Sequence, residues 1–166
     1  MILIDGDIIA YRAGFSSNDL EASDAEAKVD ELIDTIIEDT EFISTDYQVY
    51  LTGKGNFRFD IAKTLEYKGN RKDAAKPIHL QHIRDYLTTK YEATVSEGEE
   101  ADDLIAIAAT KIGMKAVVAS IDKDMLQIPC FHYNLTRREL SAVGEFDGLK
   151  FFYTQILTGD KADNIK

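Results

Sequence analysis

Nine acidic residues fall where they could do chemistry: Asp5 and Asp7; Glu100, Asp102 and Asp103; Asp122 and Asp124; Asp160 and Asp163. The densest stretch is EGEEADDLIAIAA, from Glu97 to Ala109, which crowds carboxylates against an apolar run. Like charges repel at close range, and buried carboxylates are costly unless a cation offsets them. One explanation is a solvated helix start, where acidic side chains favour the helix dipole. The other is a metal site, because hard divalent cations such as Mg²⁺ or Mn²⁺ prefer carboxylate oxygens. Two such ions about 3.5–4 Å apart can clamp a phosphodiester undergoing displacement. Spacing constrains the second option. Glu100 and Asp103 share a helix face, whereas Glu100 and Asp102 diverge if both are helical. A shared site therefore places Glu100 at a loop–helix junction.

The elements that would position these acids alternate between strand and helix. MILID reads as a buried strand ending in Asp5, YQVYL as a second strand, ATV as a short one and KAVVAS as a strongly apolar one just before Asp122. HYNLT is a further candidate strand. SDAEAKVDELIDTIIEDTEF predicts an amphipathic helix opened by a Ser23–Glu26 capping box. PIHLQHIRDYLTTKY predicts a helix with Pro77 at its first position. GEEADDLIAIAATKIG predicts one stopped by Gly113, and FDGLKFFYTQILTG predicts the last. The alternation implies an α/β fold with a mainly parallel sheet. Ligands of such folds bind at the carboxyl ends of strands, where Asp5, Asp122 and Asp124 fall. The joint placement favours the metal reading over isolated caps.

At 166 residues and 45% apolar content, the chain can build one substantial core. No apolar run reaches the ~18 residues of a membrane helix, and MILIDGDIIAYRAGF does not read as a signal peptide. The single Cys130 excludes an intrachain disulfide and a thiolate zinc cluster, and suggests a reducing compartment. The net charge of −11 argues against a nucleic-acid partner until its distribution is considered. Residues 1–46 hold thirteen Asp and Glu against Arg12 and Lys28, but residues 54–76 reverse the sign with Lys54, Arg58, Lys63, Lys68, Arg71, Lys72 and Lys76. His79, His82, His132 and Cys130 are expected to be structural, and the cluster Phe151, Phe152 and Tyr153 to be core.

MILIDGD, EYKGNRK, EGEEADDLIA, ASIDKDMLQI and TGDKADNIK, in that order, resemble the 5′-nuclease family of flap endonucleases and 5′→3′ exonucleases, nearest its bacteriophage members. The resemblance implies a PIN-like domain over 1–157, with a basic arch over about 52–76, and at 158–166 the start of a truncated helical DNA-binding motif. It implies hydrolysis of DNA phosphodiesters by a two-metal mechanism with Mg²⁺ or Mn²⁺. By the same resemblance Asp5, Glu100, Asp102, Asp103, Asp122, Asp124, Asp160 and Asp163 are metal ligands. Lys68 and Arg71 contact the scissile phosphate, Tyr67 stacks on an unpaired base, and Lys72, Arg58 and Lys54 are phosphate contacts. Asp7 is expected to be a cap or an outer partner of the ligands. The implied partner is DNA with 5′ ends or flaps, with RNA in RNA–DNA hybrids as a second substrate form, bound by a monomer in the cytoplasm of a bacterial or phage-infected cell. Thr52 and Gly53 depart from the pattern, standing where many members carry another acid. A PIN-type ribonuclease and a truncated, non-catalytic binding domain remain as alternatives.

Overall fold

The computed structural model describes residues 1–63, 67–69 and 74–159. Among these, six strands form one sheet in the order β3-β2-β1-β4-β5-β6. At its centre β1 (Ile2–Asp5) pairs in parallel with β2 (Tyr47–Leu51) and with β4 (Val117–Ala119). β2 carries β3 (Thr94–Val95) outward, and β4 carries β5 (Phe131–Asn134), both in parallel. Only β6 (Glu139–Ala142) runs antiparallel, as a hairpin partner of β5. The α/β class and mainly parallel sheet agree with the expectation from the sequence.

Both faces of the sheet are covered, as parallel sheets require. Successive residues of a strand point to opposite faces. Ile2, Ile4, Val49, Leu51, Val117 and Ala119 therefore pack with α1 (Gly6–Ser16), α2 (Ala22–Thr40) and α4 (Leu80–Lys90). Leu3 and Val118 pack on the other side with Ile105 and Ala109 of α5 (Ala101–Ile112). A single turn of helix, α3 (Arg58–Ile61), and α6 (Glu145–Thr158) complete the α-helices among the described residues, beside 3₁₀ turns at Gly113–Lys115 and Lys123–Gln127. Among the described residues no helix is long and apolar enough to cross a membrane.

Four local expectations change. The capping box of α2 is Glu21–Asp24, not Ser23–Glu26. Ala25 is fully buried four residues ahead of buried Val29, so the apolar stripe pulls the helix start forward. α4 begins at Leu80 rather than Pro77, which instead packs against Gly14 so closely that a Cβ there would lie 2.5 Å away. The edge strand β6 has no counterpart in the sequence reading, because only Leu140 is even partly buried and its pattern reads as polar. Phe152 and Tyr153 are not core: they are 40% and 59% exposed, and Phe151 is only partly buried. α6 approaches its neighbour through Gly148, where a Cβ would meet the Gln127 carbonyl at 2.6 Å, leaving the aromatic side facing out.

The residues expected to be structural have such contacts. His79 pairs with the Leu20 carbonyl and His82 with Glu26. His132 is buried against the Ile128 carbonyl at 2.8 Å, and Cys130 is fully buried with its thiol pushed up to about 11 by burial.

Candidate functional site

The chain leaves β1 for β2 and β3 on one side of the sheet and returns to β4 on the other. The carboxyl ends of β1 and β4 therefore flank a switch point, the position at which open parallel sheets form a crevice. Asp5 ends β1 and is 3% exposed. Its Oδ1 accepts from the Ile8 amide at 3.1 Å, capping α1, and its Oδ2 accepts from the Ser120 hydroxyl at 2.8 Å. Ser120 also accepts from the Asp122 amide at 3.0 Å, so one hydroxyl ties the two strand ends together. Asp122 in turn caps the 3₁₀ turn Lys123–Gln127 by accepting from the Asp124 amide at 2.8 Å. Asp124 accepts from the Gln155 side chain.

The third wall is the start of α5. Glu100 is its N-cap, at the junction that the spacing required, and Asp103 Oδ2 accepts from the Glu100 amide at 3.0 Å. Asp102, one residue into the helix, turns toward the strand ends. Its carboxyl is pushed up to about 8, first by burial and then by Asp5, Asp122 and Glu100, with Lys68 opposing. Asp5 is raised to about 6, chiefly by burial, with the Ser120 and Ile8 bonds holding it lower than burial alone would.

Residues of the basic segment close the other side. Lys68 Nζ donates to Glu100 Oε1 at 2.7 Å, Asn56 Nδ2 donates to the same oxygen at 2.8 Å, and Tyr67 donates its hydroxyl hydrogen to Oε2 at 3.0 Å. Arg58 grips Asp103 with both terminal nitrogens, at 2.7 and 2.8 Å, holding that carboxyl below the usual range. Lys68 adopts φ 51°, a left-handed conformation uncommon outside glycine. A cleft of about 1410 Å³ passes Asp5, Lys54, Lys68, Glu100, Asp102 and Asp122, and also takes in Lys76 and Arg84. A smaller cavity of about 150 Å³ lies beyond Lys68 and reaches Asp103 and Asp124. Lys68, Glu100, Asp102 and Asp122 border both.

Among the described residues, then, Asp5, Glu100, Asp102, Asp103, Asp122 and Asp124 gather around one region, and Lys54 and Lys68 border it. Arg71, Lys72, Asp160 and Asp163 lie outside the described residues. Two of the expected contact residues have partners within the chain. Tyr67 is 7% exposed, packed edge-on to Phe59 at 5.7 Å with the Lys68 ammonium over its ring. Arg58 is paired with Asp103. Thr52, standing where an acid was expected, accepts from the Ala101 amide at 2.9 Å and thereby caps α5. Sequence reasoning missed Ser120, Asn56 and Arg84. Ser120 follows an apolar strand and carried a positional signal; Arg84, on the polar side of an amphipathic helix, carried none.

The donor set fits a hard divalent cation. Every candidate ligand is a carboxylate, and burial and mutual repulsion raise two of them as expected where positive charge is lacking. Among the described residues no three potential ligands are yet drawn together closely enough to hold an ion. Glu100 and Asp103 are instead bonded to Lys68 and Arg58.

Comparison with known proteins gives a consistent assignment. The family model described as the 5′-3′ exonuclease, N-terminal resolvase-like domain, matches residues 1–161. Flap endonuclease Xni of Shewanella piezotolerans is 31% identical over 60% of this chain and 45% of its own length, so the match spans less than half of that relative. The fold is shared with the D15 flap endonuclease of bacteriophage T5, solved as a pseudo-enzyme–product complex with DNA and metal ions. That match has a TM-score of 0.71 and 21% identity, covering 98% of this chain and 67% of that one. A lysine-to-alanine mutant of the T5 5′-exonuclease superposes with a TM-score of 0.67 and 19% identity, covering 98% of this chain and 64% of the other. The sheet and its flanking helices are thus those of a PIN-like domain, and the chain belongs to the 5′-3′ exonuclease family, whose N-terminal resolvase-like domain it matches along nearly its whole length.

Proposed function

We propose that this chain is the catalytic part of a Mg²⁺- or Mn²⁺-dependent nuclease that hydrolyses DNA phosphodiesters at or near 5′ ends or flaps. The carrying observation is the convergence of Asp5, Glu100, Asp102 and Asp122 on one cleft, with Lys68, Glu100, Asp102 and Asp122 shared between it and a smaller cavity. These four carboxylates would hold the metal, with Asp103, Asp124, Asp160 and Asp163 available to complete a two-ion set. A divalent cation there supplies acidification of water and positive charge against phosphate oxygens.

The remaining work falls to the chain itself. Lys68, once exchanged from Glu100, presents its ammonium to a phosphate oxygen at the cavity border. Exposed Lys54 and Lys76 line the cleft and offset backbone charge, which makes binding salt-dependent and indifferent to sequence. Buried Asp5 and the Ser120 bridge hold the strand ends at fixed separation. Residues 1–157 form the nuclease domain, with 52–76 as its basic arch. Arg71 and Lys72 extend the phosphate contacts. The protein acts as a monomer in the cytoplasm of a bacterial or phage-infected cell.

Cleavage of 5′-labelled flap DNA and its RNA counterpart, with Mg²⁺ or with a chelator, tests this reading. Metal-dependent DNA products that disappear in Asp122→Asn support it. Equal cleavage by that variant would sink it, and faster cleavage of RNA would move the assignment to a ribonuclease.

A further inference from the structure

Thr52 uses all three of its polar groups. Its hydroxyl accepts from the Ala101 amide, its own amide donates to Asp7 Oδ2 at 3.0 Å, and its carbonyl accepts from Arg84 Nη2. Arg84 reaches across from α4 and gives its other terminal nitrogen to Asp7 Oδ1. One guanidinium fork thus joins a carbonyl at the end of β2 to a carboxylate in the first turn of α1. Next to it, the Gly53 amide donates to Ser96 Oγ at 3.0 Å, and Ser96 donates to the Glu99 carbonyl at 2.6 Å. Gly53 has no room for more, since a Cβ there would lie 1.9 Å from the Ser96 carbonyl oxygen.

These bonds connect two sets of acids. Asp7 sits in the helical turn that Asp5 caps. Ala101 is the first residue of the helix that Glu100 caps and in which Asp102 follows. The first amides of a helix lack intrahelical partners, so the hydroxyl that accepts from Ala101 fixes how that turn sits. We propose that Arg84 and Asp7 are positioning residues: through Thr52 they set the separation between Asp5 and the Glu100–Asp102 pair, in place of a further acid after β2. The inference rests on the metal-site reading above. Arg84 and Asp7 are each only about a quarter exposed, with side chains at 21% and 26%, and the pair lines the wall of the cleft. Their effect on metal is indirect, of the kind that outer hydrogen-bond partners exert on ligands.

The test is calorimetric titration of Mn²⁺ into the 166-residue chain without DNA, beside single-turnover cleavage. Arg84→Met is expected to weaken Mn²⁺ binding by about 10-fold or more and to lower the maximal rate. The DNA concentration for half-maximal rate should stay within about two-fold. Thr52→Ser keeps the hydroxyl and should match the native chain, whereas Thr52→Val should lose as much as Arg84→Met. The double variant should be little worse than either single change, since both act through one connection. Should Arg84→Met fold poorly, the Thr52 pair decides. Unchanged Mn²⁺ affinity in folded Arg84→Met or Thr52→Val, with only the melting temperature lowered, would reduce the network to a brace and overturn the proposal. A raised DNA requirement with intact metal affinity would make Arg84 a substrate contact, with the same consequence. A native chain that binds no Mn²⁺ removes the metal reading itself; a native chain that binds it no better than the variants removes only this inference.

Discussion

Glu100, Asp102 and Asp103 occupy one turn of α5 yet live in two different environments. Glu100 and Asp103 face the basic segment and are bonded to Lys68 and Arg58. Asp102 faces Asp5 and Asp122 and is raised to about 8, while Asp103 is held low. The two sides of the turn differ through what the sheet and the 54–69 segment bring to each. The neutralised side is stable as it stands; the other carries a charge deficit that a cation would relieve. A structural acidic helix start would not show this asymmetry, because solvent would treat all three residues alike.

Asp102→Asn should break the comparison most severely. Cleavage is expected to fall by about 10³-fold, since the lost oxygen is one of the proposed metal ligands. In chelator the same variant should be more stable by about 1–2 kcal/mol in urea unfolding at pH 8, because a repelled charge has gone. A variant that is less stable without metal would show that Asp102 belongs with the structural acids. Lys68→Met should lower single-turnover cleavage by about 10²-fold while leaving Mn²⁺ affinity equal or several-fold tighter, as a competing cation is removed from Glu100. Weaker Mn²⁺ binding would mean that Lys68 organises the ligands instead of competing with metal.

Arg58→Gln sharpens the neutralised side. It leaves Asp103 without its fork in a partly buried place, at a cost of about 1–2 kcal/mol by urea unfolding, and Mn²⁺ should recover part of it. The smallest effect is expected far from the cleft. Asp39 accepts from Tyr133 at 2.5 Å and from Arg138 at 2.7 and 2.8 Å, which lowers its carboxyl. A depressed carboxyl contributes stability above its unfolded value of 3.8 that is lost as pH falls through the lower folded value. Asp39→Asn should therefore lower stability only slightly at pH 7, since solvent screens this exposed pair, and flatten the acid limb of the stability curve, a loss that Mn²⁺ leaves unchanged. A cost that changed with Mn²⁺ would mean that the ion is coupled to the Asp39 contacts as well as to the cleft.

Much of this site was legible before any coordinates. Asp5 and Asp122 stand at the ends of apolar runs, and strand ends are a local property of the chain. Glu100 at a loop–helix junction followed from the two- and three-residue spacings of the cluster. The partners of Arg58 and Tyr67 were not legible, because composition shows that a segment is basic but not where each side chain lands. Their partners, Asp103 and Glu100, are 45 and 33 residues away. The aromatic run of α6 misled for a related reason: hydrophobic type does not say which face a neighbour will cover.

By itself the sequence determined the alternation of elements, the order of the acidic clusters and their placement at strand and helix ends, since backbone periodicity is written within a few residues. The tertiary structure decided which acids meet. Placing β4 beside β1 lets Ser120 reach Asp5 across 115 residues, and one guanidinium from α4 joins Asp7 to Thr52. These contacts depend on sheet order and on close packing of distant segments, and no local pattern of residues encodes either.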